Sequence, residues 1–94
     1  MKQLTWARVV YAHEAYAVRE AMDQEHRRRL DRIITVIKNA PEDGLFVRQA
    51  PDGAVLRQMT GADTHVVYAV KYWEIGRVLL IVTIEIRDWE PRWV

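Results

Sequence analysis

The sequence predicts a two-layer α+β sandwich in which a helical hairpin covers one face of an antiparallel sheet. Three observations carry this expectation. Residues 64–89, THVVYAVKYWEIGRVLLIVTIEIRDW, hold two long runs rich in Val, Ile, Leu and Tyr around a break at Trp73-Glu74-Ile75-Gly76, the pattern of a β-hairpin. Leu30, Ile33, Ile34 and Ile37 recur at the i, i+3, i+4, i+7 spacing of a core-facing helix. The elements run strand, helix, helix, strand, strand, strand. The helices are therefore the only cover available to a C-terminal meander of three or more strands.

Taken in order, residues 4–11, LTWARVVY, read as a strand that is apolar on both faces, which suits a position inside the sheet. Residues 13–22 read as a short helix, with Ala15, Val18 and Met22 at helical spacing. Asp23 is placed to cap a second helix by accepting a backbone N–H one turn in. That helix runs to about Ala40 and is stopped by Pro41 and Gly44. Residues 45–48 form a short extra strand. Ala50-Pro51-Asp52-Gly53 is a turn signal, because Pro presets φ and Gly accepts a left-handed conformation. Residues 54–60 form the next strand, Gly61-Ala62-Asp63 the next turn, and residues 64–72 and 77–87 the closing hairpin. Pro91 makes a further strand in the tail unfavourable. Residues 1–94 thus read as a single domain with one core.

Composition narrows the function. A formal charge of +1 provides no chain-wide basic field for nucleic acid. With no cysteine, disulfides and thiolate metal sites are excluded. His13, His26 and His65 have no metal-ligand spacing, and no cofactor is expected. No Gly-rich phosphate loop or nucleophile elbow is present. The N-terminal residues lack the apolar region of a signal peptide, and no apolar run is long enough to span a bilayer. A cytoplasmic protein with no membrane partner is the expectation.

Two sets of side chains remain as candidates. The arginines of the second helix, Arg27, Arg28, Arg29 and Arg32, form either a phosphate-contacting patch or a solvated face. The second is favoured, because Glu25 sits three and four positions before Arg28 and Arg29, and Arg27 sits four before Asp31. Arg57, Lys71 and Arg87 interrupt apolar strands and, with Tyr68, Tyr72, Trp73, Trp89 and Trp93, suggest a basic groove bordered by stacking surfaces. The tryptophans equally suit a homodimer contact.

A strand ending VVY, a helical hairpin, the segment LRQMTG-ADTHVVYAV and a last strand closing in IEIRDW together resemble the RelE/ParE superfamily of small toxins. The segment from Leu56-Arg57 to Val70 carries the resemblance best. It is similar to the family's L-R-x-G-x-y-R-v-v-Y. Membership implies a toxin held inactive by a cognate antitoxin protein. RelE-like members cleave messenger RNA on the ribosome, whereas ParE-like members inhibit DNA gyrase. Arg87 matches the arginine that ends the last strand and contacts the RNA phosphate. His65 stands where the family has the arginine before v-v-Y, and Trp93 falls near a C-terminal tyrosine.

The resemblance therefore implies His65 and Arg87 as catalytic residues, with Arg57, Lys71 and Trp93 binding RNA. A histidine can move protons near neutral pH and an arginine can steady a phosphate, but a tryptophan can only stack. These replacements leave open a catalytically degenerate interaction module of the same fold. The pair also makes a geometric demand. A regular four-residue turn pairs Tyr72 with Arg77, sets His65 opposite Ile84, and turns Arg87 to the other face. Only an odd turn or a β-bulge puts His65 and Arg87 together.

Overall fold

The computed structural model describes residues 8–73 and 76–90. The elements are β1 (Arg8–Tyr11), α1 (His13–Ala21), α2 (Gln24–Asn39), a 3-10 turn (Pro41–Asp43), β2 (Leu45–Gln49), β3 (Val55–Gly61), β4 (Thr64–Trp73) and β5 (Gly76–Ile86). The five strands form one sheet in the order β1-β5-β4-β3-β2. The α+β class, the helical hairpin and the antiparallel meander, here β2 to β5, are as expected.

The first strand differs from expectation. β1 joins the sheet at its edge, and it runs parallel to β5, with Arg8 opposite Val78 and Tyr11 opposite Ile81. Both faces of β1 are apolar because one packs under a helix while the other continues the far side of the sheet. Alternation along the chain cannot tell that arrangement from an interior strand. The expected residues 4–7 of this strand lie outside the described residues.

Helix α1 has no side-chain cap. It is anchored instead by the Ala12 N–H, which donates to the Ile81 carbonyl of β5 at 2.8 Å. Ala15 is buried beneath it and Val18 packs on the core. Asp23 caps α2 as expected, its Oδ1 accepting the His26 N–H at 2.8 Å. The predicted stripe Leu30, Ile33, Ile34 and Ile37 is buried. Each such side chain contributes roughly 1.5–3 kcal/mol by leaving water. α1 packs on β5 and β1, and α2 on β3 and β4, so the pair roofs one face of the sheet.

Under that roof lie Val66 and Tyr68 of β4, Leu79, Ile81, Ile84 and Ile86 of β5, with Val9, Tyr11 and Met59 alongside. Tyr68 is fully buried and donates its hydroxyl to the Pro41 carbonyl at 2.6 Å. Gly44, read as a helix stop, has a further reason to be glycine. A Cβ there would collide with the Tyr68 hydroxyl.

The far face is not bare throughout. By register it carries Leu56, Ala69 and Val78, all buried, in its middle. It opens at the end that holds Thr60 and Glu85, both exposed, with His65 half-buried between them.

Candidate functional site

The hairpin of β4 and β5 combines both registers that the sequence left open. Tyr72 pairs with Arg77 as a four-residue turn requires, and the register holds to Tyr68 opposite Ile81. It then shifts, so that Val67 faces Thr83 and Val82 is the extra residue of a β-bulge. Beyond the bulge His65 lies opposite Glu85 rather than Ile84. Side chains alternate along a strand, so Arg87, two positions past Glu85, comes to the side of the sheet that carries His65. The bulge also keeps Ile84 and Ile86 under the helices, which a one-residue slip would turn outward.

Arg87 falls one residue beyond β5, in a turn closed by the Trp89 N–H donating to the Ile86 carbonyl at 3.3 Å. Asp88 in this turn has φ 62°, a left-handed conformation that Asp tolerates better than bulkier residues. The turn is pinned to the neighbouring hairpin loop, where the Arg87 N–H donates to the Asp63 carbonyl at 2.8 Å. Asp63 is itself held on several sides. Its Oδ1 accepts the Thr64 hydroxyl at 3.1 Å, and its Oδ2 meets Arg29 Nη1 at 3.0 Å. Burial alone would raise the Asp63 carboxyl, but the hydrogen bond from Thr64, its own backbone N–H and Arg29 outweigh it and hold the group below its usual range. The Trp89 ring rests 5.4 Å from the His26 ring at the start of α2.

These side chains frame an open cleft of about 450 Å³, lined among others by Thr60, Asp63, His65, Glu85, Arg87 and Trp89. Thr60, His65 and Glu85 form a row across β3, β4 and β5. The Thr60 hydroxyl and His65 Nδ1 share a hydrogen bond of 2.7 Å. Arg87 is exposed and forms no ion pair with a described residue. The cleft thus holds an imidazole and a guanidinium in one lining, one able to carry a proton and the other to hold an anion.

Arg57 and Lys71 do not join this cleft. They line a second one of about 480 Å³ with Tyr68, Val70, Asp52 and Glu42. It lies toward the other end of β4: at about 3.3 Å per residue Lys71 is roughly 20 Å along the strand from His65, and Arg57, opposite Tyr68, roughly 10 Å. Arg57 Nη1 donates to the Gly44 carbonyl at 3.0 Å, and Lys71 Nζ meets Asp52 Oδ2 at 3.0 Å. The Asp52 carboxyl sits below its ordinary range, through the Ala54 N–H first and Lys71 second. Burial raises the Tyr68 hydroxyl. Trp93 lies outside the described residues. Among the described residues no cluster of His, Cys, Asp or Glu suits a metal ion.

The α2 arginines follow the solvated-face reading, with one difference. Arg28 and Arg29 pair with Glu25 at 3.1 and 3.3 Å as expected. Arg27 does not pair with Asp31. It donates to the Arg19 and Glu20 carbonyls at the end of α1, at 3.1 and 2.9 Å, and Asp31 pairs with Arg19 instead. The last turn of α1, separated from α2 by Met22 and Asp23, offers Arg27 carbonyls that the sequence spacing did not reveal, the Arg19 carbonyl also accepting the Met22 N–H. Thr60, Asp63 and Glu85 were also missed. The two-residue loop Ala62-Asp63 carries the signal for Thr60, since it places Thr60 directly opposite His65.

A mixed sheet roofed on one face by a helix pair, with its last strand bulged beside a cleft, defines a small α+β fold. That fold is similar to the one of RelE. The chain is similar to a chain of the archaeal RelE–RelB complex from Pyrococcus horikoshii OT3, with a TM-score of 0.65 at 18% identity, over 93% of this chain and 100% of that one. No protein-family model matches the sequence, and neither does any curated protein.

Proposed function

We propose that the protein is a RelE-like toxin that inhibits translation by cutting messenger RNA on the ribosome and is neutralised by a cognate antitoxin. The observation that carries this reading is the bulge at Val82, which brings His65 and Arg87 to one cleft at the end of a RelE-type sheet. In RNA cleavage the 2′-oxygen bonds to the adjacent phosphorus while the bond from phosphorus to the 5′-oxygen breaks, and negative charge gathers on the phosphate oxygens. Arg87 offsets that charge, and His65 takes the 2′-hydroxyl proton and returns a proton to the departing 5′-oxygen. The antitoxin is supported by the structural neighbour, which was solved as a RelE–RelB complex. The cytoplasm follows from the ribosomal target. Among the described residues no helix is long and apolar enough to cross a membrane.

The test is messenger RNA cleavage on purified ribosomes by the wild type, His65→Ala and Arg87→Ala. Loss of cutting in both variants is expected. Equal cutting by all three removes the assignment. A second reading is an interaction module of the same fold. It is favoured by β2, an edge strand exposed along its whole length, with Leu45, Phe46 and Val47 at 69%, 61% and 40% exposure. Normal growth on expression without neighbouring genes would favour this module, and growth arrest with DNA damage a gyrase inhibitor.

A further inference from the structure

We propose that Thr60 is a positioning residue for His65: its hydroxyl oxygen accepts the Nδ1 proton, so that Nε2 is presented to the cleft as an unprotonated nitrogen able to take up a proton. The consequence for RNA cleavage rests on the proposed function, but the tautomer itself does not.

The contact is built into the hairpin. Thr60 and His65 are direct cross-strand partners beside the two-residue loop Ala62-Asp63, and the oxygen and nitrogen are 2.7 Å apart. Threonine is stiff at χ1, so the oxygen stays where the strand places it. Thr60 is exposed, so its own hydroxyl proton can be given to water while the oxygen accepts from the ring. This direction also suits a proton carrier. The bond from Nδ1–H to Oγ1 persists whether Nε2 is bare or protonated, so the ring need not turn over during the cycle. In the reverse direction Nε2 would already hold its proton and could only donate. Glu85, exposed on β5, faces His65 from the side away from Thr60.

The experiment is long-range proton–nitrogen NMR on uniformly ¹⁵N-labelled protein at a pH where the ring is neutral, with the His65 signals assigned by their absence in His65→Asn. The expected wild-type result is a protonated Nδ1 and an unprotonated Nε2. Thr60→Val keeps the β-branched shape and removes the acceptor, and should move the ring toward the Nε2–H form that free imidazole prefers. Thr60→Ser should keep the wild-type form. A protonated Nε2 in the wild type overturns the proposal, and so does a ring unchanged in Thr60→Val. On ribosomes Thr60→Val should cut about tenfold more slowly, with recovery in Thr60→Ser. A wild type that cuts nothing would count against the RNA reading alone, because the nitrogen signals decide the tautomer independently.

Discussion

The two ends of the sheet carry similar side chains in different circumstances. At one end Arg57 and Lys71 sit in a cleft of about 480 Å³, and each is engaged, Arg57 by the Gly44 carbonyl and Lys71 by Asp52. At the other, the Arg87 backbone is held by the Asp63 carbonyl, while its side chain is exposed, pairs with no described acidic residue and lines the cleft that holds His65. Counting cations along the sequence makes these ends equivalent. What separates them is whether a described residue already engages the cation, and whether a proton-carrying group lines the same cleft.

The largest effect that would break this comparison comes from deleting Val82. Without the bulge, either the segment after residue 82 turns Ile84 and Ile86 out of the core, or the β4–β5 ladder is lost. We expect a loss of more than about 4 kcal/mol in urea unfolding, on the scale of losing two buried Ile side chains. Next comes activity. Arg87→Ala should lower ribosome-dependent cleavage by about 100-fold or more, whereas Arg57→Ala and Lys71→Ala should each change it by less than about fivefold. Equal losses at both ends would show that the clefts act as one surface.

A smaller effect concerns the Arg57 end alone. Gly44→Ala forces a methyl group against the Tyr68 hydroxyl and should cost about 1–3 kcal/mol in urea unfolding, leaving the His65 ring signals in place. Tyr68→Phe removes the bond to the Pro41 carbonyl and should cost about 1 kcal/mol.

The smallest effect is a pH dependence. The Asp23, Asp52 and Asp63 carboxyls all lie below their usual range in the folded protein. Their contribution is fully present above the unfolded carboxylate range, near about pH 4. It is lost as pH falls through the lower folded-state values. Thermal melts across that acid range should show a falling midpoint, and Asp63→Asn should flatten part of the slope.

Much of the fold was legible because its signals are local. Asp23 as a cap and the Leu30, Ile33, Ile34, Ile37 stripe need only their neighbours to be read. The bulge was not legible as a fact. The run VLLIVTIEI is apolar at nearly every position, so no alternation marks where the register slips. The demand for a bulge could be stated from His65 and Arg87, but its location could not. The parallel placement of β1 was hidden for a related reason. Its partner is the last strand, and only the assembled sheet shows which edge remains open. The face that Arg57 takes was hidden as well, because strand position alone does not give it. Paired with Tyr68, it lies on the helix-covered side.

The pairing of β1 with β5 joins nearly the two ends of the described chain, Arg8 against Val78. During synthesis the first strand must therefore wait, unpaired, until β5 has left the ribosomal tunnel. Helix α1, whose N-cap residue Ala12 is tied to Ile81 by its N–H, waits with it. A nascent chain shortened before β5 would keep Thr60 opposite His65 but lack Glu85 and the Arg87 turn. A partner that binds during translation would thus meet an unfinished sheet, whereas one that arrives afterwards would meet a closed one.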